Sequence, residues 1–306
     1  MNVISIYFRA PMKKHFFTFF LILYGHVYAQ DFNWWAKLVK WDNITPWQRY
    51  IKTNPAYMGP NALPVPFISN GSIDSIHSFG VTGNFHFSKG DNTQNLALYA
   101  NYCLAKDVIS FDMYWVPYER YQMSHSIKEE RHVFSHYYYD KSAQGEIHLN
   151  TNIQLLRKWR QYIHLALRIG YRLPTSNGLG TARFTDAPGY YVDVSAAKPF
   201  NKESFWKLIG MAGLYVWQTN LDGQRQNDAF LFGGGLEWNP SLWRVQIYGS
   251  GYLGYMNNEG DKPILFRTHI ERRGKKINGI LKFQQGLYNF KYSSVEGGIR
   301  YIYKKK

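Results

Sequence analysis

Three patterns in this sequence hold residues of a type that does chemistry. The first is PTSNG, Pro174–Gly178, in which Ser176 precedes Asn177 and Gly178. A serine hydroxyl becomes a nucleophile only with a base within hydrogen-bond reach. Pro174 stands two residues before it, where a histidine would serve, and His164 lies too far along the chain to help. That stretch reads as a turn. The second is GSGYLG, Gly249–Gly254, which fits G-x-G-x-x-G. The fingerprint cradles a pyrophosphate only at a strand-to-helix junction. Here apolar residues alternate straight through it, as they do through FGGGLEW, Phe232–Trp238. Glycines for curvature or tight packing account for both. Ten histidines show no HExxH or HxExH spacing, and a single cysteine rules out CxxC. No catalytic group, cofactor site or metal set is expected.

The third is YIHLALRIGYRLP, Tyr162–Pro174. Ile163, Leu165, Leu167, Ile169, Tyr171 and Leu173 alternate with His164, Ala166, Arg168, Gly170 and Arg172. On a helix every second residue advances roughly 200°, and the apolar set would smear around the cylinder. On a strand it lines one face. His164, Arg168 and Arg172 then share the other face, in steps of about 13 Å.

The same period of two returns along the chain from about residue 75. It predicts twelve strands at about 76–88, 93–104, 107–117, 144–156, 160–173, 189–198, 205–218, 227–239, 242–256, 262–273, 276–288 and 294–303. Most reach the roughly 9–11 residues that a tilted transmembrane strand needs. The connections sort by length. One side has an SKGDN-like turn, then 118–143, 174–188, 219–226, 257–261 and 289–293; the other has 105–106, 156–161, 199–204, 240–241 and 274–275. Trp115, Tyr171, Trp206, Trp217, Trp238, Trp243, Tyr255, Tyr288, Tyr301 and Tyr303 fall near strand ends, where interfacial girdles belong. The expected fold is all-β: a transmembrane antiparallel β-barrel of about twelve strands over 75–306.

Composition agrees. Of 306 residues 18% are aromatic and 26 are glycine, which favours strands, and mean hydropathy is negative. After residue 30 no apolar run approaches the roughly 18 residues of a membrane helix. Arg9, Lys13 and Lys14 precede the apolar run Phe16–Tyr24, and Val27 and Ala29 supply a small-residue cleavage pattern. Residues 1–29 are therefore expected to be a signal peptide, with Met12 an alternative start and Gln30 the first mature residue. Cys103 is alone, so no internal disulfide staples the exported chain. Removing residues 1–29, with three positive charges and no negative ones, leaves +12 of the formal +15. A basic exported protein meets anionic lipid, sugar or solutes; export argues against nucleic acid.

Residues 30–74 differ from the rest. Trp34, Trp35, Leu38 and Trp41 fall at helical spacing. Thr45-Pro46-Trp47-Gln48 has the form of a cap, first-turn proline and capping-box glutamine. NPAYMGPNALPVP, Asn54–Pro66, forbids helix and favours extended structure. This segment is expected to plug the barrel, lie against the periplasmic leaflet or dock a partner. NPAYMGPNALPVP before the first strand, with ARFTDAPGYYVDVS (Ala182–Ser195) after a long loop, resembles the porin-like outer-membrane barrels common in the Bacteroidota. The strand ending in Tyr303 is similar to the assembly signal of such barrels, although Lys304, Lys305 and Lys306 follow it. The resemblance implies a barrel fold and a place in the outer membrane.

Charge on the lipid face of a barrel costs roughly 2–4 kcal/mol near the midplane. Residues of the non-apolar parity therefore face inward. Candidate lumen residues are His164, Arg168, Arg172, Arg244, Arg267, His269, Lys282 and Arg300, with Asp112, Asp193, Glu237, Glu271 and Glu296. They make either a narrow wet pore with opposed basic and acidic walls or a closed salt-bridge network. The leading expectation is a channel for small hydrophilic solutes, tilted toward anions by the net charge. The alternative is a non-transport subunit with a protein partner at 31–66 or at the loop 118–143. A lipid hydrolase using Ser176 is the minor reading.

Overall fold

The computed structural model describes residues 33–134, 140–156, 162–256 and 259–303. Residues 1–29, expected to be a signal peptide, Gln30, part of the 118–143 loop and the terminal lysines lie outside them. Trp35–Lys306 form one compact unit; Asn33 and Trp34, the described residues of the other, are the first turn of a helix α1 (Asn33–Val39).

The strands are β1 (His77–Phe87), β2 (Asp91–Ala105), β3 (Ile109–Met123), β4 (Asp140–Ala143), β5 (Ile147–Gln154), β6 (His164–Leu173), β7 (Gly189–Pro199), β8 (Trp206–Gln218), β9 (Gln226–Trp238), β10 (Trp243–Gly254), β11 (Ile264–Arg272), β12 (Ile277–Tyr288) and β13 (Ser293–Tyr303). All pairings are antiparallel, β1 pairs with β13 from His77↔Tyr303 to Phe87↔Ser293, and β2 with β3 completes the ring. β4 pairs with Glu119–Gln122 of β3 and β5 with Ile109–Trp115, so β4 and β5 together act as one stave. The result is a closed barrel of twelve staves.

The period of two works as expected. Phe79, Leu96, Phe111, Leu149, Tyr171, Leu208, Leu214, Phe230, Ile247, Phe266, Phe283 and Ile299 are all exposed on the outer face, where lipid rewards them. The ends of the strands need four corrections. β3 runs to Met123, past the expected stop at 117. Its register with β2 shifts between Leu96↔Tyr118 and Leu98↔Trp115, so Pro117 sits in a bulge where its missing N–H is not needed. Trp217 is not a girdle residue: it is fully buried inside the barrel, 5.4 Å from the Tyr252 ring. The sorting of connections has three exceptions, with 88–90 and 289–292 short among the long ones and 155–163 long among the short ones. No capping box forms at Thr45. Instead Asp42 accepts the amide hydrogens of Ile44 (3.0 Å) and Thr45 (2.7 Å), and a one-turn helix follows at Trp47–Tyr50.

Two helices stand at the long-loop end. α1 puts Trp35 in a fully buried position, its Nε1 donating to the His132 carbonyl at 2.8 Å. α2 (His125–Glu130) lies in the loop after β3. Residues 51–74 then run through the barrel from this end to the start of β1.

Candidate functional site: the plugged lumen

The segment inside the barrel is rich in prolines 55, 60, 64 and 66. Such a chain cannot join a sheet, yet each residue still offers a carbonyl that must be satisfied once buried. The wall answers with side-chain donors. Arg172 Nη1 reaches the Ala62 carbonyl at 2.8 Å, Tyr252 Oη the Leu63 carbonyl at 2.9 Å, Arg267 Nη1 the Pro66 carbonyl at 3.3 Å, and Arg168 Nη2 the Phe67 carbonyl at 2.9 Å. His164 Nδ1 lies 2.9 Å from Ser72 Oγ. The three polar residues of β6 therefore hold the plug at Ala62, Phe67 and Ser72, which descend as β6 is read backwards.

Glycine decides two close approaches. Gly71 has φ +68, and a Cβ there would lie 2.6 Å from the His164 carbonyl oxygen. On the wall, a Cβ at Gly170 would meet the Tyr191 ring at 2.3 Å. Between Arg168 and Arg172, only a residue without a side chain leaves that ring its place.

Halfway along, Phe67 divides the remaining space. On the long-loop side is a cavity of about 240 Å³ and on the other a cavity of about 190 Å³; Phe67, Asp112 and Arg168 line both. The Phe67 ring is 37% exposed, facing this space, with Arg267 Cζ and Lys282 Nζ each 4.5 Å from its centroid. Cations over an aromatic face contribute more in desolvated surroundings than at a surface. The larger cavity is walled by Tyr99, Tyr114, Tyr191, Tyr215 and Tyr248.

The lumen charges form three clusters. Toward the short-turn end Glu237 accepts from Arg244 (3.0 Å), Gln246 (3.0 Å) and the plug's Asn70 (3.1 Å). Arg300 bridges Glu271 (2.6 Å) and the plug's Asp74 (2.7 Å). At the middle Arg168 pairs with Asp193 (2.7 Å) and Lys282 with Glu296 (2.8 Å). Toward the long-loop end Arg183 joins Asp91 and Glu119, each at 2.7 Å, and Arg131 joins Asp91 at 2.7 Å. Asn61 of the plug completes this last cluster, 2.7 Å from Glu119.

All thirteen charged or histidine residues chosen from the sequence stand on the inward parity. His164, Arg168, Arg172 and Arg267 hold the plug directly; Arg244, Glu237, Glu271 and Arg300 make the short-turn cluster. Asp112, Asp193, Lys282, His269 and Glu296 surround the middle, with His269 Nδ1 3.3 Å from Gln246 Oε1. Sequence reasoning missed Phe67, the tyrosines and the Arg131–Asp91–Arg183–Glu119 cluster. The tyrosines were on the inward parity all along, but a search for charge passes over phenols. No group of metal-binding residues occurs among the described residues.

Asp42 and His132, both outside the strands, have displaced pKa values. The Thr45 hydroxyl, with the amides of Ile44 and Thr45, holds the Asp42 carboxyl down to about 2. Burial lowers His132 below the ordinary histidine value and the Lys52 charge adds to this, while its bond to the Tyr50 carbonyl (2.9 Å) works the other way.

No protein-family model and no curated protein sequence matches the chain. The fold is similar to that of an outer-membrane channel from Pseudomonas putida F1, at 11% identity and a TM-score of 0.54, covering 78% of this chain and 99% of that one. The NanC porin aligns at 10% identity and a TM-score of 0.48, covering 73% and 98%. The translocator domain of the autotransporter NalP from Neisseria meningitidis aligns at 9% and 0.43, covering 76% and 89%. At these identities the likeness concerns the fold.

Proposed function

We propose that the protein is an outer-membrane channel for small solutes, held shut in this state by its own residues 51–74. The observation that carries this reading is the pair of cavities in series, about 240 and 190 Å³, with a single side chain, Phe67, between them. A purely structural barrel gains nothing from such space at its axis. Acids accompany the bases along the lumen, so selectivity comes from local charge more than from the net +12 of the mature chain. Residues 51–66 are inside the barrel, which weighs against their docking an external partner. The reading is also non-enzymatic, and is supported by Ser176 Oγ being buried with no hydrogen-bond partner among the described residues.

Conductance in planar bilayers tests the proposal. Wild type should give small, intermittent openings, and Phe67→Ala should raise the conductance several-fold. Silence from both, with heat-modifiable gel mobility showing both folded, sinks it.

A further inference from the structure

Two charges facing the larger cavity make no direct ion pair among the described residues. Arg267 is 4% exposed, yet its Nε is held only by the neutral Gln284 Oε1 at 2.7 Å, and it forms no ion pair among the described residues. Asp112 accepts from the neutral amides of Asn150 (2.5 Å) and Asn152 (2.6 Å) and likewise forms no direct ion pair among them, because the nearby Arg168 is bonded to Asp193. Every other charged side chain lining this cavity is paired, Arg168 with Asp193 and Lys282 with Glu296. A charge taken from water costs several kcal/mol unless a partner restores the interaction.

The two stand apart. Asp112 is on β3 and Arg267 on β11, strands that are not neighbours in the ring. Aromatic side chains line the same cavity, including Tyr99, Tyr114 and Phe67. Asn84, 4% exposed, also lines the cavity with its Oδ1 unpartnered. At about 240 Å³ the space is smaller than the roughly 300–1,000 Å³ of drug-sized pockets, which suits a single ring.

We infer that this cavity is a binding site for a small zwitterion whose carboxylate and ammonium are held apart by an apolar body, the carboxylate meeting Arg267 and the ammonium Asp112. This rests on the channel reading for its purpose, although the binding itself does not require conduction. A plain anion would leave Asp112 uncompensated, and a plain cation would leave Arg267 so.

Titration calorimetry of the full chain in detergent tests this with three probes of one shape: para-aminomethylbenzoate, para-methylbenzoate and para-methylbenzylamine. The zwitterion should bind at least about tenfold tighter than either relative. Arg267→Gln should reduce it to the level of the amine, and Asp112→Asn to that of the acid. The inference is overturned if either singly charged probe matches the zwitterion on wild type, if none binds, or if both variants keep the preference. Should a variant misfold, the wild-type comparison alone decides. Binding with silent bilayers would sink the channel reading and leave this one; conductance without the preference would do the reverse.

Discussion

Arg168 serves two masters: its Nε lies 2.7 Å from Asp193 Oδ2 while its Nη2 lies 2.9 Å from the Phe67 carbonyl oxygen. One guanidinium thus joins the wall's own charge pair to the plug at the level of the constriction. Arginine alone supplies such a fork of donors with no acceptor. Replacing it by Met should cost about 3–5 kcal/mol, because Asp193 is left buried without its cation, with only the Ser195 hydroxyl still donating to it. The double variant Arg168→Met with Asp193→Asn should regain much of that loss, read as the urea midpoint of folding in detergent micelles.

Gly71→Ala should loosen the plug without harming the barrel. The left-handed backbone and the contact with the His164 carbonyl together penalise a side chain by about 1–3 kcal/mol. Hydrogen exchange of residues 62–74 should accelerate while the strands keep their protection. Unchanged exchange there would mean the plug is not held at Gly71.

Trp217 and Trp243 both end strands, yet they should respond differently. Trp217 is fully buried and donates to the Thr53 carbonyl at 3.3 Å, whereas Trp243 is 40% exposed on the outer face. Truncation to Ala at the first should cost about 3–5 kcal/mol. At the second the loss should be clearly smaller. Heat-modifiable mobility across a temperature series compares them.

Acid should undock the N-terminal cap. The folded form holds His132 at a lowered pKa, so the undocked form takes up a proton more readily. The contribution is therefore complete above the ordinary histidine value, about 6.5, and is lost as pH falls through and below it. Tryptophan fluorescence between pH 8 and pH 5 should report the change at Trp35, and His132→Gln should flatten it. An equal change in that variant would assign the effect elsewhere.

The wall of the barrel was legible in the sequence because a membrane reads side chains one face at a time. Ile163, Leu165 and Leu167 could only point one way, and His164 and Arg168 the other. Which groups the inward residues touch was not legible, since that depends on strands far apart in sequence. The plug shows why most sharply. NALPVPF announces an extended chain with unused carbonyls, and the arginines of β6 and β11 announce unused donors, but nothing local says that they meet. Pro117 and Trp217 misled for a simpler reason: a bulge excuses the one, and the other stands on the inward parity of its strand with Ile209, Met211 and Tyr215.

The place of the plug constrains the order in which the molecule is made. Trp35 and Tyr50 sit at one rim, while His77, which continues the same segment, pairs with Tyr303 at the opposite rim. The chain therefore passes through a ring that its own first and last strands fasten. A ring fastened early would have to admit a bulky tryptophan cluster through a bore lined by inward tyrosines and charged side chains. Assembly is expected to run the other way, with the staves gathering around a segment already laid down and the seam between β1 and β13 joined last.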